Sequence, residues 1–473
     1  MENIKDILIY TSQKLQGHMK FEDYRHYILS AVFYKYLSEK IEKENNKKLF
    51  KYNINFEESF NDENIQYYGV KIKEENLENL GFFIKPENLY DNILKRTDKI
   101  RSLNNAICEI EFESKKLKGI FDIKSYERIF LSQNTIKILE ECLININNVS
   151  FDDDEDVANY LMKYFLKKSF TPTQISTLLS KLVTIDRDKI TNAYDAACGS
   201  CSTLLAINDE ADVTNFYGQE IKEHTSNMAK INMIMHEINA KNFHIYNEDS
   251  TIIKRSLPKM DVIVSHPPFL KKWNAKENLI EDERFNCFKK LPPKSRADYA
   301  FIESMVYQLN DDGIMAVVMP QGVLFRSNAE EAIRRTFLKE KNYIDTIIGL
   351  PDKTFHKNIP TCILILKKNR KKDDTILFID ASTSYIKNGK LNILSNEDID
   401  KIVNAYKNKC DIDQYSSNVS IAHIKENNYN LNIKLYIDTF VEKDKINIKE
   451  SLEEIKKLDE KEKELINMIT KDN

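Results

Sequence analysis

Glycine is scarce in this 473-residue chain, with 10 in all. Five of them (Gly199, Gly218, Gly313, Gly322 and Gly349) fall in the middle, each close to a predicted strand end. Demanding turns are therefore concentrated there. No apolar run approaches the roughly 20 residues of a membrane span. The N-terminus, MENIKDILIYTSQKLQ, is amphipathic and lacks the apolar core and cleavage site of a signal peptide, so a cytoplasmic protein is expected. Cysteines number 7, odd and scattered, which argues for free thiols in a reducing compartment. Only Cys198 and Cys201 form a CxxC, with neither a second ligand pair nor a thioredoxin-like context, so no metal site is expected. Strong positive charge is missing too. A net charge of −4 and a pI near 6.2 exclude a global field that attracts nucleic acid, so DNA binding would need local patches or a partner.

What is present describes a globular protein, 42% hydrophobic and 30% charged, long enough for two or three domains. Residues 1–150 read as a helical domain. From Phe21 to Leu37 apolar positions recur at helical spacing, with Tyr24, Tyr27 and Tyr34 as core rather than a base-stacking platform. The acidic run Asp152–Asp156 suits a helix start and a domain boundary. Residues 151–385 alternate strands with helices. Strands are predicted at Asn192–Asp195, Asn215–Glu220, Asn242–Tyr246, Asp261–Val264, Gly313–Pro320, Ile344–Leu350 and Thr361–Leu366. Helices are predicted from Ser202 and from Thr225 to Ile238. This spacing implies an α/β domain with a doubly wound, mainly parallel sheet. Residues 386–473 turn polar and helical. A capping-box pattern at Ser451–Glu454 precedes apolar residues at 455, 458, 465, 466 and 469, a face open to its own chain or to a partner.

The chain is organised around Met260–Leu270, MDVIVSHPPFL. A buried strand leads directly into His266-Pro267-Pro268-Phe269. Two prolines fix two φ angles and leave a stiff, extended turn. Such a turn either presents Phe269 and a polar side chain to the crevice of an open sheet or simply tucks Phe269 into the core. The earlier strand ends favour a crevice. Asp195 precedes the turn through Gly199, Glu220 ends the next strand with a carboxylate suited to ribose hydroxyls, and Asp249 follows the third.

The blocks SFTP, YDAACGSCSTLL, YGQEIKEHTSNMAKINM, HPPF, RADYAFIE, VVMPQGVLFRSNAEEAIRR, IIGLPDKTFHKNIPTCILIL, ILFIDAS and IKENNYNLNIKLY occur in this order. With FEDYRHYILSAVFYKYLSEK at the front, they resemble the modification subunits of type I restriction–modification systems, DNA adenine-N6 methyltransferases. The resemblance implies a Rossmann-like methyltransferase domain that uses S-adenosylmethionine. It assigns Lys168, Ser169, Phe170, Thr171, Pro172 and Thr173 to the cofactor's methionine end, and Asp195, Gly199, Ser200, Cys201 and Ser202 to the first cofactor loop. Glu220 would hold the ribose and Asp249 the adenine. His266, Pro267, Pro268 and Phe269 would be the catalytic tetrapeptide, with Phe269 stacking on a flipped base. Implied partners are duplex DNA, a specificity subunit and a restriction subunit, hence a hetero-oligomer in the cytoplasm and not at a membrane.

The sequence departs from that family in four places. Ala196 stands for a proline, Cys201 for a glycine, His266 for the catalytic asparagine, and Lys168-Ser169 for a glycine and an aromatic. A Cβ at 201 is expected to need a negative φ or a shifted loop. Neutral His266 is expected to act as an acceptor, with transfer falling through an apparent pKa of about 6–7. A working methyltransferase and an architectural DNA-clamp subunit that has lost transfer are both left open. An RNA or protein N-methyltransferase is a more distant third.

Overall fold

A computed structural model describes residues 4–61, 66–121, 132–151, 154–166, 171–355, 359–371 and 374–438, with scattered positions from Glu453 to Glu462. Ahead of the sheet the chain is helical, through Ile4–Leu15, Phe21–Leu49, Gln66–Asn79, Lys99–Glu113, Gln133–Ile146 and Asp154–Leu166. Tyr24, Tyr27 and Tyr34 are buried, as helical spacing predicts. The Tyr36 hydroxyl donates to Ile234 O (3.1 Å) and Lys116 Nζ to Phe243 O (2.7 Å), tying these helices to the sheet's flank. A continuous apolar core runs from Ile7 in the helices to Ile379 in the sheet.

The strands are β1 (Lys189–Asp195), β2 (Asp212–Gln219), β3 (Phe243–Tyr246), β4 (Met260–Ser265), β5 (Leu309–Pro320), β6 (Ile344–Gly349), β7 (Thr361–Lys367), β8 (Ile376–Asp380), β9 (Ile386–Asn388), β10 (Leu391–Ile393) and β11 (Ser416–Val419). Nine form one sheet, in the order β11-β8-β6-β7-β5-β4-β1-β2-β3. It is mainly parallel, with β7 antiparallel to β5 and β6, and β11 antiparallel to β8. Alternation divides the core between its faces. Val262, Val264, Ala316 and Val318 face one apolar layer; Ile263, Met315 and Val317 face the other. Burial on both faces explains the apolar runs Val262–Val264 in β4, Ile314–Met319 in β5 and Cys362–Leu366 in β7.

The structure adds to the sequence reading beyond residue 385. β9 and β10 form a hairpin around Gly389, whose φ is 60°, and β11 joins the large sheet. The capping-box residues Ser451, Leu452 and Glu454 lie outside the described residues, whereas Ile455 and Leu458 are exposed. No helix among the described residues is long and apolar enough to cross a membrane.

Candidate active site

Strand order reverses between β1 and β4, and the carboxyl ends of β1 to β4 open there into a cavity of about 730 Å³. Asp195, Gly199, Ser200, Ser202, Glu220 and Asp249 line it. So do His266, Pro267, Pro268 and Phe269, together with Thr171, Pro172 and Thr173. Residues separated by almost a hundred positions thus converge on one crevice. Lys168, Ser169 and Phe170 lie outside the described residues.

Asp195 Oδ1 accepts from the Ala197 N–H (2.9 Å) and the Ser265 hydroxyl (2.6 Å), which pins the turn after β1 against the end of β4. Burial nevertheless pushes its pKa up to about 7, against these two hydrogen bonds. The turn passes through Gly199 at φ 54°, where a Cβ would meet nothing within 4 Å, so open space lies over the turn. At Gly218 on β2, by contrast, a Cβ would stand 2.8 Å from Cys198 Sγ, so the turn packs directly on that glycine.

Cys201 corrects the expectation made for it. Its φ is +63°, the left-handed conformation of a glycine, and its fully buried side chain does not line the cavity. The thiol hydrogen-bonds with Cys198 instead, and the Cys201 N–H donates to Cys198 O at 2.7 Å. The loop tolerates the Cβ because it points into the core. Ala196 does line the cavity, without filling it.

Glu220 Oε1 accepts from the Lys222 N–H (2.8 Å), which orients the carboxylate at the cavity edge. Asp249 Oδ1 takes the Thr251 N–H (3.0 Å) and hydroxyl (2.6 Å), closing a tight turn after β3. Glu248, a lining residue the sequence reading passed over, is bound by Arg255 at 2.7 Å on each oxygen and by Gln219 at 2.7 Å. These hydrogen bonds, Arg255 foremost, hold its carboxyl below the usual range.

His266 is half-buried, and burial lowers its pKa to about 4, well under the 6–7 expected from sequence. Its Nδ1 lies 3.1 Å from Thr171 Oγ1. Its ring packs against Phe355 (centroids 4.4 Å apart) and Phe269 (5.1 Å), and those two phenylalanines meet edge to face at 5.8 Å. Phe355 was missed by sequence reasoning, although it follows β6, which ends on the same edge as β4. Leu391 and Ile393 of the β9–β10 hairpin also line the cavity. The hairpin is tied beside Phe355 by the Asn392 N–H, which donates to Lys353 O at 3.1 Å. On the other side Lys271 stands exposed on the rim. Among the described residues no cluster of His, Cys, Asp or Glu has a metal-binding arrangement.

Comparison with known proteins agrees with this geometry. Residues 152–445 match the N-6 DNA methylase family and residues 5–141 the HsdM N-terminal domain. The chain is 31% identical to the type I restriction enzyme MpnII methylase subunit of Mycoplasma pneumoniae, over 96% of this chain and 92% of that one. It is also 31% identical to the MjaVII methylase subunit of Methanocaldococcus jannaschii, over 80% of this chain and 70% of the other. Among solved structures, the methyltransferase subunit of a type I restriction-modification system from Streptococcus thermophilus superposes with a TM-score of 0.82. Identity is 30%, covering 92% of this chain and 98% of that chain.

Proposed function

Since the chain belongs to the type I restriction-modification methylase subunits of the N-6 DNA methylase family, which transfer methyl groups to adenine N6 in DNA, we propose that its 730 Å³ cavity is the transfer site and binds S-adenosylmethionine beside a flipped adenine. The observation that carries this is the convergence of Asp195, Glu220, Asp249 and the His266–Phe269 turn on one cavity. Its volume falls within the range of about 300–1,000 Å³ common for small-molecule sites. Carboxylates at three successive strand ends suit a cationic ligand that carries hydroxyls, and the open space over Gly199 lets it approach the backbone. S-adenosylmethionine supplies the methyl group, activated on a sulfonium.

The protein's part is binding and orientation. Glu220 accepts from ribose hydroxyls, Asp249 contacts the cofactor's adenine, and Asp195 keeps the intervening turn in place. An adenine inside a duplex cannot reach a crevice of this depth, so the target base leaves the stack. Phe269 takes its face, and His266 offers an acceptor to its exocyclic amine. A low pKa keeps the imidazole neutral at physiological pH, as an acceptor must be. Lys271 on the rim contacts a backbone phosphate. With a net charge of −4 the chain does not hold DNA tightly alone, and a specificity subunit supplies sequence recognition and a restriction subunit completes the assembly. On this reading the complex works in the cytoplasm.

Titrating the full chain with S-adenosylmethionine in a calorimeter tests the reading. Saturable one-to-one binding is expected, and absence of binding would overturn it.

A further inference from the structure

His266 has two ring nitrogens, and the cavity treats them differently. Nδ1 is engaged by Thr171 Oγ1 at 3.1 Å. Phe355 and Phe269 pack against the ring at 4.4 Å and 5.1 Å and limit its rotation. Nε2 is the nitrogen left for a ligand. A neutral imidazole carries one hydrogen, and a threonine hydroxyl either donates or accepts, so the pair has two arrangements. If Thr171 donates to Nδ1, the hydrogen sits on Nε2 and opposes an N–H of the target amine, donor against donor. If Nδ1–H donates to Thr171, Nε2 is bare and accepts from that amine.

We infer that Thr171 is a positioning residue: it accepts the Nδ1–H of His266 and fixes the tautomer whose bare Nε2 receives one N–H of the adenine amine. An asparagine has a carbonyl oxygen and needs no tautomer selection, so this task exists only because a histidine stands at position 266. The inference rests on the proposed transfer function. Charged groups lining the same cavity are Asp195, Glu220, Lys222, Glu248, Asp249 and Lys271; none of them has a hydrogen bond to the His266 ring.

The tautomer is read on the full chain, without cofactor or DNA, by nitrogen NMR after selective ¹⁵N-histidine labelling. His266 is assigned by the signal lost in His266→Asn. Near neutral pH, Nδ1 is expected to be protonated and Nε2 unprotonated, with Thr171→Val shifting the population toward Nε2–H and Thr171→Ser restoring it. In the reconstituted complex Thr171→Val should lower kcat about tenfold or more. Thr171→Ser should recover most of it, and Thr171→Val should cost far less in a His266→Asn background. An Nε2–H tautomer in the unmutated chain would overturn the inference. So would a tautomer insensitive to Thr171→Val, or equal losses in the two backgrounds. An unmutated complex that transfers nothing while the tautomer responds as stated would count against the transfer function and leave the pairing standing.

Discussion

Asp195 carries the most quantitative consequence of the site. Its carboxyl rises from an ordinary 3.8 to about 7 on folding because it is buried, while Ser265 and Ala197 donate to it. The folded form therefore holds a proton that the unfolded chain releases, so this group stabilises the fold most below pH 3.8 and loses that contribution as pH rises toward about 7. At about 1.4 kcal/mol per pH unit, the interval corresponds to roughly 4 kcal/mol as an upper limit. Asparagine keeps the acceptor oxygen for both donors and cannot ionise. Asp195→Asn should thus raise stability by about 3–4 kcal/mol at pH 8, by about 1–2 kcal/mol at pH 5, and hardly at all near pH 4. Differential scanning fluorimetry at the three pH values shows this as a Tm gain that grows with pH. The same substitution should weaken S-adenosylmethionine, because a positively charged ligand favours the carboxylate. In the unmutated chain, binding below pH 7 should release a proton, visible in calorimetry with buffers of different ionisation enthalpy. A Tm difference independent of pH between 5 and 8 would refute the reasoning.

Three further outcomes are expected. Glu220→Ala should weaken S-adenosylmethionine at least about tenfold by calorimetry, since two hydroxyls lose a charged acceptor. With the His266 pKa lowered to about 4 by burial, transfer should stay level with respect to this group from pH 8 to pH 5 and fall as pH drops through about 4. A rate profile with a half-point at 6–7 that vanishes in His266→Asn would show that DNA and cofactor alter the site's burial. Glu303, fully buried in the helix Asp298–Gln308, bonds through neither oxygen, and burial pushes its pKa well above the carboxylate range. Glu303→Met should raise thermal stability by about 1–3 kcal/mol, more at pH 8 than at pH 5, as followed by the melting temperature.

Much of the sheet was legible because its central strands carry apolar runs and β4, β5 and β6 run into prolines (Pro267, Pro320 and Pro351). The predicted strands from Asn192 to Leu366 correspond to β1 through β7. β11, Ser-Ser-Asn-Val, gave no signal: three of its four residues are polar, and edge pairing with β8 makes it a strand. The β9–β10 hairpin did carry a sign, Asn388-Gly389, but its short exposed strands lack alternation. In the site, strand-end carboxylates and the His266–Phe269 turn were readable one by one from their positions. Phe355 was not, because antiparallel β7 separates β6 from β5, and sequence order alone does not show that the chain after β6 reaches His266. The depressed pKa of His266 was likewise hidden. It arises from burial, and Phe355, the more distant in sequence of the two rings packed on the imidazole, lies 89 positions further along the chain than His266 (355 − 266). Cys201 was misjudged because a glycine-like φ was assumed to exclude a side chain, whereas the core beneath the turn accommodates it.

The central claim is that adenine N6 receives its methyl group at the His266–Phe269 edge of the cavity. Mass-spectrometric measurement of N6-methyladenine in DNA, after incubation with S-adenosylmethionine and the reconstituted complex, tests it most directly. The unmutated complex and His266→Asn should both form N6-methyladenine, while His266→Ala should lose most of it with S-adenosylmethionine binding retained. Undiminished N6-methyladenine from His266→Ala, or none from an unmutated complex that binds both DNA and S-adenosylmethionine, would contradict it.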